Sequence, residues 1–215
     1  MLATIAAVVA VAIALLLSYG KRLLKSNVIS SSVSIASMGY AVPGTVIAVG
    51  VLLPFAWLDN TIDAWMREHF DFSTGLLLSG TLFALVFAYT VRFLSVSIQA
   101  IDAGMGKIKQ SMDDAGRSMG LSPIRVLKEI HYPLMKGTVL TALLLVFVDV
   151  LKELPATLIM RPFNFNTLAV RAYEMAADER LADAGAPALM IVLTGLLPII
   201  LLSRAISHSR AGEKH

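Results

Sequence analysis

Long apolar stretches alternate with short polar segments along this 215-residue chain. A helix needs roughly 20 apolar residues to cross the hydrocarbon core of a bilayer, which is about 30 Å thick. Five stretches meet that length, and we predict membrane-spanning helices over residues 2–19, 35–57, 75–95, 137–160 and 187–203. The pattern predicts an all-α membrane protein, a bundle of about five transmembrane helices that forms one domain over residues 1–215.

The composition agrees with a bilayer as the solvent of most side chains. Hydrophobic residues make up 57% of the chain, charged residues make up 15%, and the mean hydropathy is +0.75, which is outside the range of ordinary soluble domains. The chain has no cysteine, which excludes disulfides, thiolate metal sites and a cysteine nucleophile. We attribute the net charge of +3 to membrane topology and expect no nucleic-acid partner.

The basic residues indicate how the chain is inserted. No lysine or arginine precedes the first apolar stretch, whereas Lys21, Arg22 and Lys25 follow it, so this stretch differs from a secretory signal peptide. Positive charges favour the cytoplasmic side, which predicts an N-terminus outside the cell and a cytoplasmic C-terminus. The same topology places most of the remaining basic residues in the cytoplasm: Arg92, Lys107, Lys109, Arg117, Arg125, Lys128, Lys136, Arg204, Arg210 and Lys214.

A polar helix–turn–helix segment interrupts the apolar pattern at about residues 105–133, and we call it the coupling segment. Ser111 and Asp114 have the spacing of a capping box at a helix start. Gly120 can adopt the left-handed conformation that ends a helix. The sequence therefore predicts a short polar helix that stops at Gly120.

The second helix of the coupling segment has two different faces. Ser122 offers its N-cap and Pro123 its first helical position, and we expect the helix to end before Pro133. By helical spacing, one face is apolar and packs against the protein, whereas the other is charged and available to a partner. The apolar face comprises Ile124, Val126, Leu127 and Ile130, and the charged face comprises Arg125, Lys128 and Glu129.

The coupling segment also carries a recognisable signature. Asp114-Ala115-Gly116 is followed after three residues by Gly120, and after nine more by Ile130-His131-Tyr132-Pro133. This spacing resembles the coupling signature of the transmembrane subunits of bacterial ABC importers, Glu-Ala-Ala, three residues, Gly, nine residues, Ile-x-Leu-Pro, from which positions 114, 116 and 132 depart. The resemblance implies that the segment docks in a groove of a cytoplasmic ABC ATPase through Asp113, Asp114, Ala115, Gly116, Gly120, Leu121, Ser122 and Pro123.

A later stretch carries a more specific resemblance. Residues 149–158 read Asp-Val-Leu-Lys-Glu-Leu-Pro-Ala-Thr-Leu, and residues 161–171 read Arg-Pro-Phe-Asn-Phe-Asn-Thr-Leu-Ala-Val-Arg. Both are similar to the C-terminal half of ferric-iron ABC importer permeases, which commonly carry two such halves in one chain. The resemblance implies a half-permease for ferric iron, either separate or part of a longer protein. Importers of thiamine, sulfate and other anions share related sequences and remain alternatives.

Charged residues and prolines in the predicted spans are candidates for the transport pathway or for helix packing. These candidates are Pro43, Gly44, Asp149, Lys152, Glu153 and Pro155. The three charged residues are spaced to share one side of a helix, so Lys152 can neutralise a carboxylate, and we expect them to act as one balanced group. The two prolines can loosen a helix, either as gating positions or as static kinks.

An outer segment around residues 168–181 is expected to form a short helix on the membrane surface. Its carboxylates are of the type that binds hard cations, but arginines are interleaved with them, and we interpret the segment as a hydrated helix with local ion pairs. His69 and His131 lack ligand spacing, so we assign no metal site. The carboxylates are those of Glu174, Asp178, Glu179 and Asp183.

The resemblance implies a pore formed with a second, identical or homologous half in the bacterial cytoplasmic (inner) membrane. A periplasmic or extracellular solute-binding protein would deliver the solute. The chain has no Gly-x-x-x-x-Gly-Lys-Ser/Thr pattern, so ATP hydrolysis is assigned to the partner ATPase, and neither a cofactor nor an enzymatic step is assigned to this chain. The competing interpretations are a self-contained ion-coupled carrier or channel that uses the charges of residues 149–153, and a membrane scaffold.

Overall fold

The computed structural model describes residues 1–24 and 26–211, and within them the chain is helical and has no strand. Five helices are long and apolar enough to cross a membrane, as predicted. Lys25 and Lys214, which entered the topology prediction, lie outside the described residues. The helices are α1 (Leu2–Leu24), α2 (Asn27–Ala36), α3 (Gly44–Phe70), α4 (Leu82–Met105), α5 (Gln110–Ser118), α6 (Pro123–Val126), α7 (Tyr132–Leu151), α8 (Pro155–Met160), α9 (Leu168–Ala177) and α10 (Leu181–Ala211).

Small residues place α1 at the centre of the bundle. Its buried side includes five alanines at helical spacing, Ala3, Ala6, Ala7, Ala10 and Ala14. Small side chains let helix backbones approach closely where lipid removes the usual hydrophobic driving force. As a result, α1, α4 and α7 pack against one another as a three-helix core.

The two ends of this core differ. The last turns of α1 and α4 meet the coupling segment, since the Arg22 side chain donates to the carbonyl of Met105 at 2.7 Å. We call this the coupling end of the bundle. The opposite end, where α3 finishes at Phe70 and α4 begins at Leu82, is called the distal end.

The second predicted span, residues 35–57, is broken in the structure. Helix α2 ends at Ala36, a 3₁₀ turn occupies Gly39–Ala41, and Pro43 is the N-cap of α3. Proline has no N–H and disfavours helical geometry in the residue before it, and Val42 is extended with ψ 132°. Pro43 therefore starts a helix and does not kink one.

The fourth predicted span, residues 137–160, is broken as well. Helix α7 ends at Leu151, and α8 starts again at Pro155. At the other end, the membrane-crossing helix begins at Pro123, far earlier than predicted. Pro155 occupies the first turn of α8, where its missing N–H costs nothing, so it too starts a helix.

Carboxylates of α3 hold the distal connection between α3 and α4, and the second span was predicted to end at residue 57. Helix α3 instead continues to Phe70. The buried carboxylate of Asp59 accepts hydrogen bonds from three backbone N–H groups at residues 77–79, between 2.7 and 3.1 Å. Asp63 accepts from the Thr74 N–H at 2.8 Å. These hydrogen bonds satisfy backbone N–H groups of the non-helical stretch that precedes α4.

The short helix predicted around residues 168–181 is present as α9, Leu168–Ala177. Thr167 caps it by accepting from the Val170 N–H at 3.3 Å. Glu179 has a positive φ of 61° and separates α9 from α10, which begins at Leu181 and not at residue 187 as predicted. The acidic residues do form local ion pairs, Arg161 with Glu174 at 2.9 Å and Arg180 with Asp183 at 2.7 Å.

The membrane topology gives a first prediction. Single cysteines in place of the exposed residues Glu68 and Asp178 at the distal end are expected to react with a membrane-impermeant thiol reagent added outside intact cells. A cysteine at exposed Lys128 in the coupling segment is expected to react only after the membrane is opened. The chain has no native cysteine to interfere. Labelling of position 128 from outside would reverse the proposed orientation.

Candidate functional site

The coupling segment has the predicted helix–turn–helix form. Gly120 has φ +77°, a left-handed conformation that glycine adopts without strain. The turn is closed by the Gly120 N–H to the Arg117 carbonyl at 2.9 Å and by the Leu121 N–H to the Gly116 carbonyl at 3.1 Å. Ser122 occupies the N-cap position and Pro123 the first turn of α6, although the Ser122 side chain makes no capping bond.

Two local predictions about this segment are wrong. There is no capping box at Ser111, because α5 begins one residue earlier, with Lys109 as its N-cap and no side-chain cap. The second helix also does not end before Pro133. It passes through a π-helical segment, Leu127–His131, and continues as α7. The wider π turn changes the hydrogen-bond register before Pro133, which allows the chain to pass a residue without an N–H.

The apolar face of the second helix is only partly correct. Val126 is buried and Ile130 half-buried, but Ile124 is 75% exposed. Because α6 is only one turn long, the packing of Val126 against α5 sets its orientation, and Ile124 points away. Ile124, Met112 and Met119 are exposed apolar side chains of the coupling segment, and we refer to the three together as the apolar patch.

Gly116 explains how the two short helices approach each other. A Cβ atom at this position would lie 3.0 Å from Ile130 Cδ1 and 3.1 Å from Val126 Cγ2, which is tighter than ordinary van der Waals contact. The glycine that departs from the family signature therefore has a packing role. Gly120 has a different one, since a Cβ atom there would meet nothing within 4 Å and only its φ requires glycine.

A buried ionic cluster fastens the coupling segment to α1. Asp113, 2% exposed, accepts from Arg22 Nε at 2.7 Å and from His131 Nε2 at 2.5 Å. The other guanidinium nitrogens of Arg22 donate to the carbonyls of Met105 at 2.7 Å and Ile108 at 2.8 Å. Arg22 thus ties together the end of α4, the connection after it and α5. We call Arg22, Asp113 and His131 the latch.

The Asp113 carboxyl of the latch is ionised at neutral pH. Burial by itself raises the pKa of Asp113, but the hydrogen bonds from Arg22 and His131, with their positive charge, outweigh it and hold the pKa below its usual range. A carboxyl with a lowered pKa in the folded state stabilises that state above its ordinary pKa. The contribution is lost only as the pH falls through the lowered value.

Tyr19 adds a second connection from α1 to the coupling segment. Its hydroxyl donates to the carbonyl of Pro123 at 2.6 Å, and its ring meets the ring of His131 edge-on with centroids 5.3 Å apart. The sequence pattern assigns no role to His131 and treats Arg22 only as a topology charge. Asp113 is buried, whereas the adjacent Asp114 is exposed, so the two neighbouring carboxylates have different roles.

A second polar cluster lies where the two broken helices meet. Arg92 of α4 donates to Glu153 Oε1 at 2.9 Å, and the same oxygen accepts the Ala156 N–H at 3.0 Å. Gly44, the first residue of α3, lies against both charged groups, and a Cβ there would overlap the Arg92 guanidinium. We call the Arg92–Glu153 pair the break pair, since it joins the start of α3, the middle of α4 and the start of α8.

Hydroxyl groups extend the break pair into the core. Thr157 Oγ1 donates to the Glu153 carbonyl at 2.7 Å and accepts from the Tyr89 hydroxyl at 2.6 Å. Tyr89 and Thr157 are fully buried. The carbonyl freed where α7 ends is therefore satisfied inside the protein, as membrane-depth backbone requires.

The prediction that Asp149, Lys152 and Glu153 form one group is wrong. Lys152 does neutralise a carboxylate, that of Asp149, at 2.8 Å. Glu153 belongs to the break pair instead, because the helix has already ended at Leu151 and the turn directs Glu153 towards Arg92. Asp149 and Lys152 form a separate pair whose Lys152 side chain is 62% exposed.

The described residues contain no cluster of three or more side chains suited to hold a metal ion. His69 Nδ1 lies 3.0 Å from the Trp65 carbonyl of its own helix. Glu174 and Asp183 are engaged with arginines.

Comparison with known proteins agrees with this description. The family described as the binding-protein-dependent transport system inner membrane component matches residues 8–210. The chain therefore belongs to this family.

Two curated relatives indicate what similar proteins transport. The chain is 27% identical over 165 residues to the Fe(3+)-transport system permease protein FbpB 2 of Haemophilus influenzae, covering 77% of this chain and 29% of that protein. It is 28% identical over 144 residues to the provisionally named 2-aminoethylphosphonate transport system permease protein PhnV of Salmonella typhimurium, covering 66% and 54%. The chain thus spans between about a third and a half of these relatives.

A solved structure shares the fold. The crystal structure of a bacterial alginate ABC transporter in complex with an alginate pentasaccharide-bound periplasmic protein matches with a TM-score of 0.67. The match covers 90% of this chain and 69% of the other at 10% identity. The likeness shows a common helical arrangement.

The latch gives a second prediction. Arg22→Met leaves the buried Asp113 carboxylate without its main partner and is expected to lower the free energy of unfolding by about 3–5 kcal/mol. The matched control is Lys21→Met, whose pair with Asp102 is exposed and is expected to contribute about 0–1 kcal/mol. Thermal unfolding of the purified chain in detergent measures both. Equal effects of the two variants would contradict a buried latch.

The break pair gives a third prediction. Arg92→Met is expected to destabilise the chain because it leaves Glu153 buried and unpaired, and Arg92→Met with Glu153→Gln is expected to recover part of the loss. Lys152→Met with Glu153→Gln is the control and should show no recovery relative to Lys152→Met. Thermal unfolding in detergent measures all four variants. Recovery in Lys152→Met with Glu153→Gln, but not in Arg92→Met with Glu153→Gln, would support the prediction that Asp149, Lys152 and Glu153 act as one group.

Proposed function

We propose that this member of the binding-protein-dependent transport family is one half of the membrane permease of an ABC importer. It forms the translocation pathway with a second half-permease and is driven by a separate cytoplasmic ATPase. The coupling segment carries this proposal, because an exposed apolar patch lies on a helix–turn–helix that is fastened to the core helix α1. No bond chemistry is assigned to the chain, and ATP is used by the partner.

The coupling segment divides into a docking side and a holding side. The exposed residues Asp114, Ala115, Gly120 and the Ser122–Pro123 corner, with half-buried Leu121, face the ATPase together with the apolar patch. Asp113 and Gly116 are buried and hold α5 against the rest of the segment. A movement of the docked ATPase therefore reaches α1 through the latch and through Tyr19.

The second half-permease is supported by the length of the relatives. The chain spans 29% of the FbpB 2 protein and 54% of PhnV, so it corresponds to a part of each relative. The partner half is identical or homologous, and a solute-binding protein docks at the distal end. In this arrangement the N-terminus lies outside and the C-terminus in the cytoplasm of the bacterial inner membrane.

Ferric iron is the cargo favoured by the relatives, because FbpB proteins of Haemophilus influenzae and Actinobacillus pleuropneumoniae match at 27% and 30% identity. A phosphonate is the second candidate, since PhnV matches over a larger share of its own length. The two cargoes are distinguishable by uptake with the corresponding binding protein.

Transport by the assembled importer tests the proposal. The chain is reconstituted in vesicles with its second half, and uptake from a loaded binding protein is measured with and without the ATPase and ATP. Uptake is expected only when both are present. Equal uptake without the ATPase would support the self-contained carrier, and no solute movement under any condition would support the scaffold.

Gly120 gives a fourth prediction, on coupling. Gly120→Val places a β-branched residue at φ +77° and is expected to cost on the order of 1–2 kcal/mol locally and to misdirect α6. Gly120→Asn is the matched control, because asparagine tolerates this conformation. ATP-driven uptake and co-purification of the ATPase are expected to fall in the valine variant and to remain in the asparagine variant. Full uptake with valine would contradict the proposed docking geometry.

A further inference from the structure

The two helix breaks lie at the same level of the bundle. The 3₁₀ turn approaches α4 where a Cβ on Gly39 would overlap the Val91 carbonyl, and Gly44 lies against Arg92. The second break reaches the same place, because Glu153 bonds to Arg92. Two interruptions of separate membrane-spanning segments therefore meet beside one turn of α4.

This level is inside the membrane-crossing part of the bundle. Arg92 lies between the ends of α4 at Leu82 and Met105, about 15 Å from the first and about 20 Å from the second at roughly 1.5 Å per residue. Non-helical backbone is tolerated at such depth only where it is buried in protein or lines a water-filled cavity. Glu153 is buried, so the first case holds for the break pair.

The surroundings of Lys152 match the second case, a water-filled cavity. Its side chain is 62% exposed although it adjoins Glu153 at the same level, and its partner Asp149 is 16% exposed. A lysine side chain can extend towards an interface, but about 15 Å is beyond its reach. An ammonium facing hydrocarbon at this depth is costly, so such groups face water or the bundle interior. The exposed side of Lys152 therefore faces an aqueous pathway.

The groups on this side are hydrogen-bond donors. An ammonium has three N–H bonds, and Asp149 occupies one. Tyr40, 51% exposed, lies at the same level, because its ring packs beside that of Phe93, the neighbour of Arg92, with centroids 6.2 Å apart. The nearby carboxylates of Asp149 and Glu153 are already paired. The surface thus presents donors and a cation and lacks an open carboxylate.

We propose that Lys152 and Tyr40 form a contact site for an oxyanion of the transported solute where the two helix breaks meet. The inference rests on the proposed importer function and specifies its solute chemistry. The site suits a phosphonate, or a ferric ion that travels with oxyanion ligands around it, and it disfavours a bare metal cation. Asp149 orients the ammonium.

The first test measures the site without any solute. A cysteine in place of Tyr40 is reacted with two methanethiosulfonates, one bearing a sulfonate and one bearing a trimethylammonium group, in importer-containing membranes opened on both sides. The sulfonate reagent is expected to be favoured about fivefold over its ratio at a control cysteine, because the exposed Lys152 ammonium acts oppositely on the two reagents, whereas the side chain of its partner Asp149 is 16% exposed. Ser34→Cys, exposed and on α2, which has no charged residue, is the control.

Two results would overturn the site. An unreactive cysteine at position 40 would mean that no aqueous pathway reaches it, and a ratio equal to that at position 34 would mean that no anion-favouring charge is present. Adding Lys152→Met to Tyr40→Cys is expected to abolish the preference for the sulfonate reagent. A preference that survives this change would assign the field to another residue.

The second test measures uptake by the complete importer of two probes, 2-aminoethylphosphonate and ferric iron supplied with citrate. Lys152→Met is expected to lower ATP-driven uptake of the transported probe about tenfold, since a hydrogen bond to a charged group is lost, whereas Lys152→Arg keeps most of it. Membrane abundance of each variant is measured alongside. Wild-type uptake with Lys152→Met at equal abundance would overturn the inference.

Failure of the proposed importer function can be distinguished from failure of the contact site. If the wild-type importer shows no ATP-dependent uptake of either probe, the proposed function or its cargo is wrong, while the thiol test still reports on the charge at position 152. If uptake is ATP-dependent but insensitive to Lys152, the importer function stands and the contact site is wrong.

Discussion

The ion pair between Arg92 and Glu153 is the interaction on which the interrupted architecture depends. A bilayer does not satisfy free backbone groups, so a helix can stop at depth only if the protein supplies partners. Glu153 does this for α8, because its side chain accepts the Ala156 N–H while its carbonyl is bonded by Thr157. Arg92 balances the resulting charge, and Gly44 leaves it the necessary space. One pair therefore satisfies the start of α8 and packs against the start of α3.

The latch is the counterpart of the break pair at the coupling end. In both, a buried carboxylate meets an arginine from a long helix and also receives a second donor, His131 in one case and the Ala156 N–H in the other. Burying a charge is tolerable when its partner and remaining hydrogen bonds are fixed. Helix α1 carries Arg22 at one end and the alanine stripe along its length. In the proposed importer, motion of the coupling segment is therefore passed to the core that holds the breaks.

Local signals predicted the features that depend on few neighbouring residues. The number of spans follows from apolar length, and the turn at Gly120 follows from its spacing before Ser122 and Pro123. The partners of the buried charges did not follow, because Arg92 and Glu153 are 61 residues apart and Arg22 and Asp113 are 91 apart. Helical spacing alone placed Glu153 beside Lys152. The end of α7 at Leu151 invalidates that geometry. The sequence feature that indicated this helix end was Pro155, four residues later.

The two glycines of the coupling signature show why similar residues need separate physical explanations. Gly120 is required by its backbone, since open space surrounds it and φ is positive, whereas Gly116 has ordinary helical geometry and is required by the closeness of Val126 and Ile130. Glycine at position 116 weakens the isolated helix by about 1 kcal/mol relative to alanine. The loss is offset by closer packing beneath α5, which also brings Asp113 to the depth where Arg22 and His131 reach it. The departure from the family pattern at this position is thus consistent with a latch that holds α5 close to α1 through Asp113 and Arg22.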